Sequence, residues 1–237
     1  MSATGEHQLG LFGKMPAHSD FVDRQLPMEF IGNWDSWLQR GISCSRERLG
    51  DNWLDFYPTS PIWRFMLSPG AIDPQGWCGV VSPSVDSVGR YFPLTIAMPL
   101  PAATGLALFC QQNEDWFQAL EAAVLSALQE DCDADQLHQQ LEAIAAPLCN
   151  AQHPGDNRNL AFSTASLSSA LAAQLDAQLA RHYASHSLWF SIYTQPVMQN
   201  LLVAQGMPSD EQYTAMLDNQ WQQWGWELAS SNTETSL

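Results

Sequence analysis

The side chains best placed to do chemistry lie between residues 60 and 98, where charged and aromatic residues are closely interleaved. The charged ones are Arg64, Asp86 and Arg90, and the aromatic ones are Trp63, Phe65, Trp77, Tyr91 and Phe92. A desolvated charge is costly unless it is paired, and a guanidinium both pairs with carboxylates and stacks on rings. The three charges therefore form either an Arg–Asp network that locks the loop 82–89, or a recognition surface for a protein or an anionic group.

Catalytic machinery is hard to find in this sequence. It contains no G-x-S-x-G elbow, P-loop, G-x-G-x-x-G or H-E-x-x-H motif, and Lys14 is its one lysine. Acid–base catalysis would need two carboxylates facing a cleft with separated pKa values, and Asp20 and Asp86 are the candidates for a hydrolase. The segment 84–89 instead favours Asp86 as the acceptor of an Asx turn. We predict that the chain is not an enzyme, with a hydrolase as the alternative.

Metal and cofactor sites are not indicated either. His182 and His186 are spaced i, i+4 on a predicted helix, but two ligands on one face do not make a zinc site. The five cysteines are odd in number and show no C-x-x-C spacing, which is typical of free thiols in a reducing compartment. We predict no metal and no cofactor.

The charge distribution limits the kinds of molecule that the protein can bind. The formal net charge is −16, and residues 91–237 carry fifteen acidic and only two basic residues. With no basic stripe, nucleic acid is excluded as a partner. The acidic faces are either solvated or a docking face for a basic protein. The uncharged stretch 91–113 contains helix-breaking prolines, so we predict no membrane span. The first seven residues lack a secretion signal, so we predict a cytoplasmic protein.

Hydrophobic periodicity and turn residues predict the elements that position these side chains. The predicted strands are 9–12, 62–67, 78–81, 91–98, 160–162, 187–193 and 201–204. The predicted helices are 27–41, 43–49, 113–128, 133–146, 166–184 and 209–217. This interleaving predicts an α/β fold, a mixed β-sheet flanked by helices, in one domain over residues 1–237. The residues from about 228 onward are predicted to be a disordered tail.

Several segments resemble the motifs of a known family. Gly10 to Arg24 reads GLFGKMPAHSDFVDR and resembles the family pattern GxFGKxPxxGDFVxR, except that Ser19 stands where the family has glycine. Further matching segments follow in the family's order, at 34–38, 60–65, 83–86, 88–93, 187–190 and 206–208. The chain is thus similar to the TagF (ImpM) family of bacterial type VI secretion accessory proteins.

The resemblance implies a three-layer α/β/α sandwich and a cytoplasmic, non-enzymatic protein. It implies a negative post-translational regulator that binds a component of the secretion apparatus such as the FHA-domain protein. It also implies a functional link to Ser/Thr kinase and phosphatase control. An architectural subunit of the machine is the alternative. The candidate residues for partner binding or loop locking are Lys14, Asp20, Arg24, Trp34, Asp35, Arg64, Asp86 and Arg90. We expect Arg64, Asp86 and Arg90 mainly to lock the loop 82–89, leaving its exposed parts and residues 14–24 to contact the partner.

Overall fold

Seven strands and seven α-helices make up the computed structural model, which describes residues 8–129, 131–150, 165–194 and 197–229. The strands are β1 Gly10–Gly13, β2 Val22–Arg24, β3 Trp63–Leu67, β4 Gly76–Ser82, β5 Leu94–Leu100, β6 His186–Thr194 and β7 Val197–Gln205. The helices are α1 Met28–Leu49, α2 Trp53–Phe56, α3 Leu106–Gln112, α4 Glu114–Ala127, α5 Ala134–Glu142, α6 Leu167–His182 and α7 Asp210–Asp218. The strands form one sheet in the order β2-β1-β5-β4-β3-β6-β7.

Helices cover both faces of this sheet, so the predicted three-layer α/β/α sandwich is confirmed. On β3, Phe65 belongs to the aromatic core beneath α1 and α7, whereas Met66 belongs to the core beneath α3, α4 and α5. Every described strand pair is antiparallel, whereas the sequence predicted a mixed sheet. For four of the six described pairs the reason is the connectivity: β1–β2, β3–β4, β4–β5 and β6–β7 are neighbours both in the chain and in the sheet. Parallel neighbours would need a crossover instead.

Helix α1 runs unbroken through Gly41, where the sequence predicted a stop and a second helix. A Cβ at Gly41 would lie 2.6 Å from the ring of Tyr213 on α7. Glycine here therefore allows close packing of two helices rather than ending one. The helix ends at Gly50, whose φ is 54°. The prediction of two helices over 27–49 is wrong because Gly41 was read as a C-cap.

The inner face of α1 supplies three residues of the aromatic core, Phe30, Trp34 and Trp37. Trp34 is fully buried, its ring centroid lies 4.6 Å from that of Phe65, and its indole N–H donates to Thr95 Oγ1 at 2.8 Å. Ser209 and Gln212 form the capping box that their spacing predicts before α7, and the structure shows a second one at Asp133 before α5. The segment 160–162 and the tail from 230 onward lie outside the described residues. In the described part of the chain, no helix combines the length and apolarity needed to cross a bilayer.

Candidate functional site

The loop between β4 and β5 is organised around one buried carboxylate. Asp86 Oδ1 accepts hydrogen bonds from the backbone N–H groups of Val88 at 3.1 Å and Arg90 at 2.8 Å. Its Oδ2 accepts from Lys14 Nζ at 2.6 Å and from Arg90 Nε at 2.7 Å. Gly89 completes the turn with a φ of 85°, in the left-handed region that favours glycine. The predicted Asx turn at Asp86 is therefore present, and a lysine from 72 residues upstream reinforces it.

The electrostatics of this carboxylate fit a structural role. Burial alone would raise the pKa of Asp86, but the hydrogen bonds from Lys14 and Arg90 hold that pKa well below its usual range. Asp86 therefore stays ionised near neutral pH, with both oxygens engaged. Asp20 is exposed, and its carboxylate lies 3.8 Å from Arg90 Nη2. A hydrolase would need one of these carboxyls to exchange protons at working pH, and the surroundings of Asp86 oppose that.

The segment from Lys14 to Arg24 is fastened to this loop. Ser84 Oγ donates to the carbonyl of Lys14 at 2.7 Å, and the Ser87 N–H donates to the carbonyl of His18 at 2.9 Å. The guanidinium of Arg90 donates to the carbonyl of Ser19. Ser19 is not among the residues with positive φ, so the serine that replaces the family's glycine is free of backbone strain there.

The other end of the segment is anchored on α5. Arg24 donates to Asp135 Oδ1 through Nε at 2.9 Å and Nη2 at 2.7 Å. The N–H of Ala134 donates to His18 Nε2 at 3.0 Å. Arg24 and His18 thus tie residues 14–24 to the first turn of a helix more than a hundred residues away. Residues 14–24 are therefore held by the loop 82–89 on one side and by α5 on the other.

Arg64 does not belong to this network, and the expectation that it helps to lock the loop is wrong. It lies on the face of the sheet that α4 covers, and its side chain is 4% exposed. There its guanidinium pairs bidentately with Glu114 (2.6 and 3.0 Å) and Glu121 (2.6 and 3.0 Å). Because both carboxylates belong to α4, Arg64 clamps that helix onto the sheet. The partners are 50 and 57 residues away in sequence, a relationship that spacing does not reveal.

The other four residues that the sequence singled out lie elsewhere. Trp34 is a core residue, and Asp35 on α1 accepts from Gln39 Nε2 at 2.6 Å, away from the loop. The two histidines do not share a helix, because His182 ends α6 and His186 begins β6. Among the described residues no group of His, Cys, Asp or Glu has the arrangement of a metal site.

Above the locked network lies an exposed surface that we call the loop surface, formed by Asp20, Phe21, Val88 and Arg90. Val88 is 64% exposed and Phe21 is 46% exposed. The Phe21 ring is held in place by Phe92, with centroids 4.9 Å apart, while Lys14 Nζ lies 5.2 Å from its centroid. Phe21 and Val88 are not among the candidate residues indicated by the sequence, because an apolar residue in a motif is expected to be buried. Only the fold shows that both face solvent.

Comparison with known proteins gives a match to a domain family and a match to a solved structure. The model of the TagF N-terminal domain, described as type VI secretion system-associated, matches residues 10–144. In overall structure the chain is similar to the crystal structure of PA0076 from Pseudomonas aeruginosa PAO1, with 32% sequence identity and a TM-score of 0.77. That similarity covers 94% of this chain and 97% of PA0076. No curated protein gives a significant match to the chain.

Proposed function

This chain belongs to the TagF family of type VI secretion system-associated proteins, and we propose that it is a cytoplasmic, non-enzymatic regulator that restrains the secretion apparatus by binding one of its components. We propose the FHA-domain protein of the apparatus as that component. Regulation would then operate after translation, alongside Ser/Thr kinase and phosphatase control.

The observation that carries this proposal is the network of hydrogen bonds that supports the loop surface. Asp86 fixes the turn from below through four hydrogen bonds, while Arg90 and Ser87 fasten it to residues 14–24. A surface that is ordered before binding loses less conformational entropy when a partner docks. Phenylalanine and arginine are both enriched in protein–protein interfaces, and arginine is a frequent hot-spot residue.

Two alternatives remain as outcomes of experiment. A hydrolase would use Asp20 and Asp86, but the pairing of Asp86 with Lys14 and Arg90 argues against it. An architectural subunit would be present at fixed stoichiometry in every assembled machine. A regulator would instead be substoichiometric, and its abundance would set the rate of secretion.

Secretion in the host bacterium tests the proposal. We expect excess wild-type protein to lower secretion and to co-purify with an apparatus component. Val88→Asp should lose both effects, because it places a charge in the middle of the loop surface. Leu125→Asp is the matched control: Leu125 lies on α4, in the helical layer opposite α1, and is 54% exposed. Unchanged secretion with excess wild-type protein, or equal effects of the two variants, would contradict the proposal.

A further inference from the structure

A groove of about 950 Å³ opens beside the loop surface, between α1 and the chain that leads into β5. One wall is a single face of α1, and the other is the segment 89–92. The turn after α1 closes the end. The lining residues are Gln39, Ile42, Ser43, Arg46, Gly50, Asp51, Trp53, Leu54, Gly89, Arg90, Tyr91 and Phe92. The groove therefore combines an apolar and aromatic floor with two arginines.

Arg46 is the unusual member of this lining. Its guanidinium carbon lies 4.3 Å from the ring centroid of Trp53, and the residue is exposed. Among the described residues, no carboxylate approaches Arg46 within 4.0 Å, although the chain carries 25 acidic residues. Every other basic side chain between residues 8 and 90 has such a partner; these are Lys14, Arg24, Arg40, Arg48, Arg64 and Arg90.

Neighbouring residues hold Trp53 in the position in which Arg46 stacks on it. The indole of Trp53 is buried, and its N–H donates to Ser45 Oγ at 2.9 Å. The same ring stacks on Tyr57 with centroids 4.5 Å apart and meets Tyr91 edge-on at 5.7 Å. A guanidinium held by its π face keeps its N–H donors at the edge, where they can pair with an oxyanion.

Arg90 adds a second cation to the groove. Its side chain is 57% exposed; Nε contacts Asp86, and Nη2 contacts the Ser19 carbonyl and lies 3.8 Å from the Asp20 carboxylate. Asp51 is the acidic residue among the lining side chains. The rest of the chain is strongly acidic and repels anions, so this groove is a local exception within a molecule of net charge −16.

We propose that this groove binds an acidic peptide segment of the apparatus partner. An Asp or Glu carboxylate of that segment pairs with Arg46, and a neighbouring apolar side chain packs on Ile42 and Leu54. Charge complementarity favours this occupant, because a basic segment would be drawn to the acidic surface elsewhere and repelled here. The inference rests on the proposed function, since it names the chemistry of the partner that the regulator recognises.

Site-specific photocrosslinking in the host tests the inference with the full-length protein. A photoreactive phenylalanine analogue replaces Leu54, which lines the groove and is 52% exposed, and Leu125 serves as the control position. Mass spectrometry identifies the crosslinked peptide. We expect an Asp- or Glu-rich peptide from an apparatus component at position 54 and none at position 125. Adding Arg46→Gln should lower the yield about tenfold, as the loss of one charge-assisted pair predicts.

The charge-matched control is Arg40→Gln, which removes the same charge from α1 but from a side chain that faces Asp210 on α7. It should leave the yield unchanged, and so should phosphatase treatment of the partner. A crosslinked peptide without acidic residues, equal yields for the Arg46 and Arg40 variants, or loss of yield after phosphatase treatment would overturn the inference. If the protein co-purifies with an apparatus component but position 54 gives no crosslink, the inference fails and the proposed function stands. If it co-purifies with none, the proposed function itself fails.

Discussion

Lys14 and Asp86 form an ion pair at 2.6 Å between two buried side chains that are 72 residues apart in sequence. This pair joins the chain that leaves β1 to the turn between β4 and β5. The partly exposed side chain of Arg90 donates to the same carboxylate. The loop surface is therefore held by an interior contact, and its outer residues remain available to a partner.

Removing the interior cation should cost more stability than removing the exterior one. Lys14→Met leaves a buried carboxylate with only Arg90 to balance it, so we expect the Tm to fall by roughly 5–10 °C. Arg90→Ala removes an exposed cation and should lower the Tm by less than about 3 °C. Thermal melts at neutral pH compare the two. A larger fall in Tm for the Arg90 variant would mean that the exposed Arg90 contact stabilises the loop more than the buried Lys14 contact does.

Lowering the pH should destabilise the fold, because Asp86 becomes protonated. Burial opposes its charge, yet the bonds from Lys14 and Arg90 hold its pKa below the unfolded value of about 3.9. Its contribution to stability is thus present above that value and is lost as the pH falls toward the folded pKa. We expect the Tm difference between wild type and Asp86→Asn to be constant from pH 7 to pH 5 and to shrink below about pH 4. A difference that grows on acidification would contradict this assignment.

Arg64 should matter for stability and not for partner binding. Arg64→Met removes four charge-assisted hydrogen bonds to α4 but leaves Glu114 and Glu121 partly exposed, so they can regain water. We expect the free energy of unfolding to drop by about 2–4 kcal/mol, measured by denaturant unfolding. Binding of the apparatus component below the melting temperature should match wild type. If a folded Arg64 variant failed to bind the component, Arg64 would instead belong to the recognition surface.

Two glycines of α1 should respond oppositely to alanine. Gly41→Ala places a Cβ against the buried ring of Tyr213 and should destabilise the protein by about 1–3 kcal/mol. Gly32→Ala meets no atom within 4 Å and should stabilise α1 by about 0.5–1 kcal/mol through helix propensity. Denaturant unfolding of both variants provides the comparison. Stabilisation by Gly41→Ala would indicate that α7 does not pack there as described.

Local chemistry made much of the fold predictable from the sequence. Three kinds of predicted feature depend on residues close in the chain: the strands at 62–67, 78–81 and 187–193, the capping box of α7, and the Asx turn at Asp86. These features were found because propensity, capping and turn residues act within a few positions.

Long-range pairing and exposure were not predictable in the same way. Arg64 was assigned to the wrong network because its carboxylates lie on a distant helix. Lys14 was noted, but its pairing with Asp86 depends on β1 lying next to β5 in the sheet. Gly41 resembled a helix end because its contact with Tyr213 is tertiary. Phe21, Leu54 and Val88 are apolar residues whose exposure only the folded chain reveals.

Titration calorimetry between the purified protein and the purified FHA-domain component tests the central claim most directly. We predict that wild type binds and that Val88→Asp raises the Kd at least about tenfold, while its Tm stays within about 2 °C of wild type. Leu125→Asp should bind like wild type. The absence of wild-type binding, or equal Kd values for wild type and the Val88 variant, would contradict the claim that the loop surface docks this component.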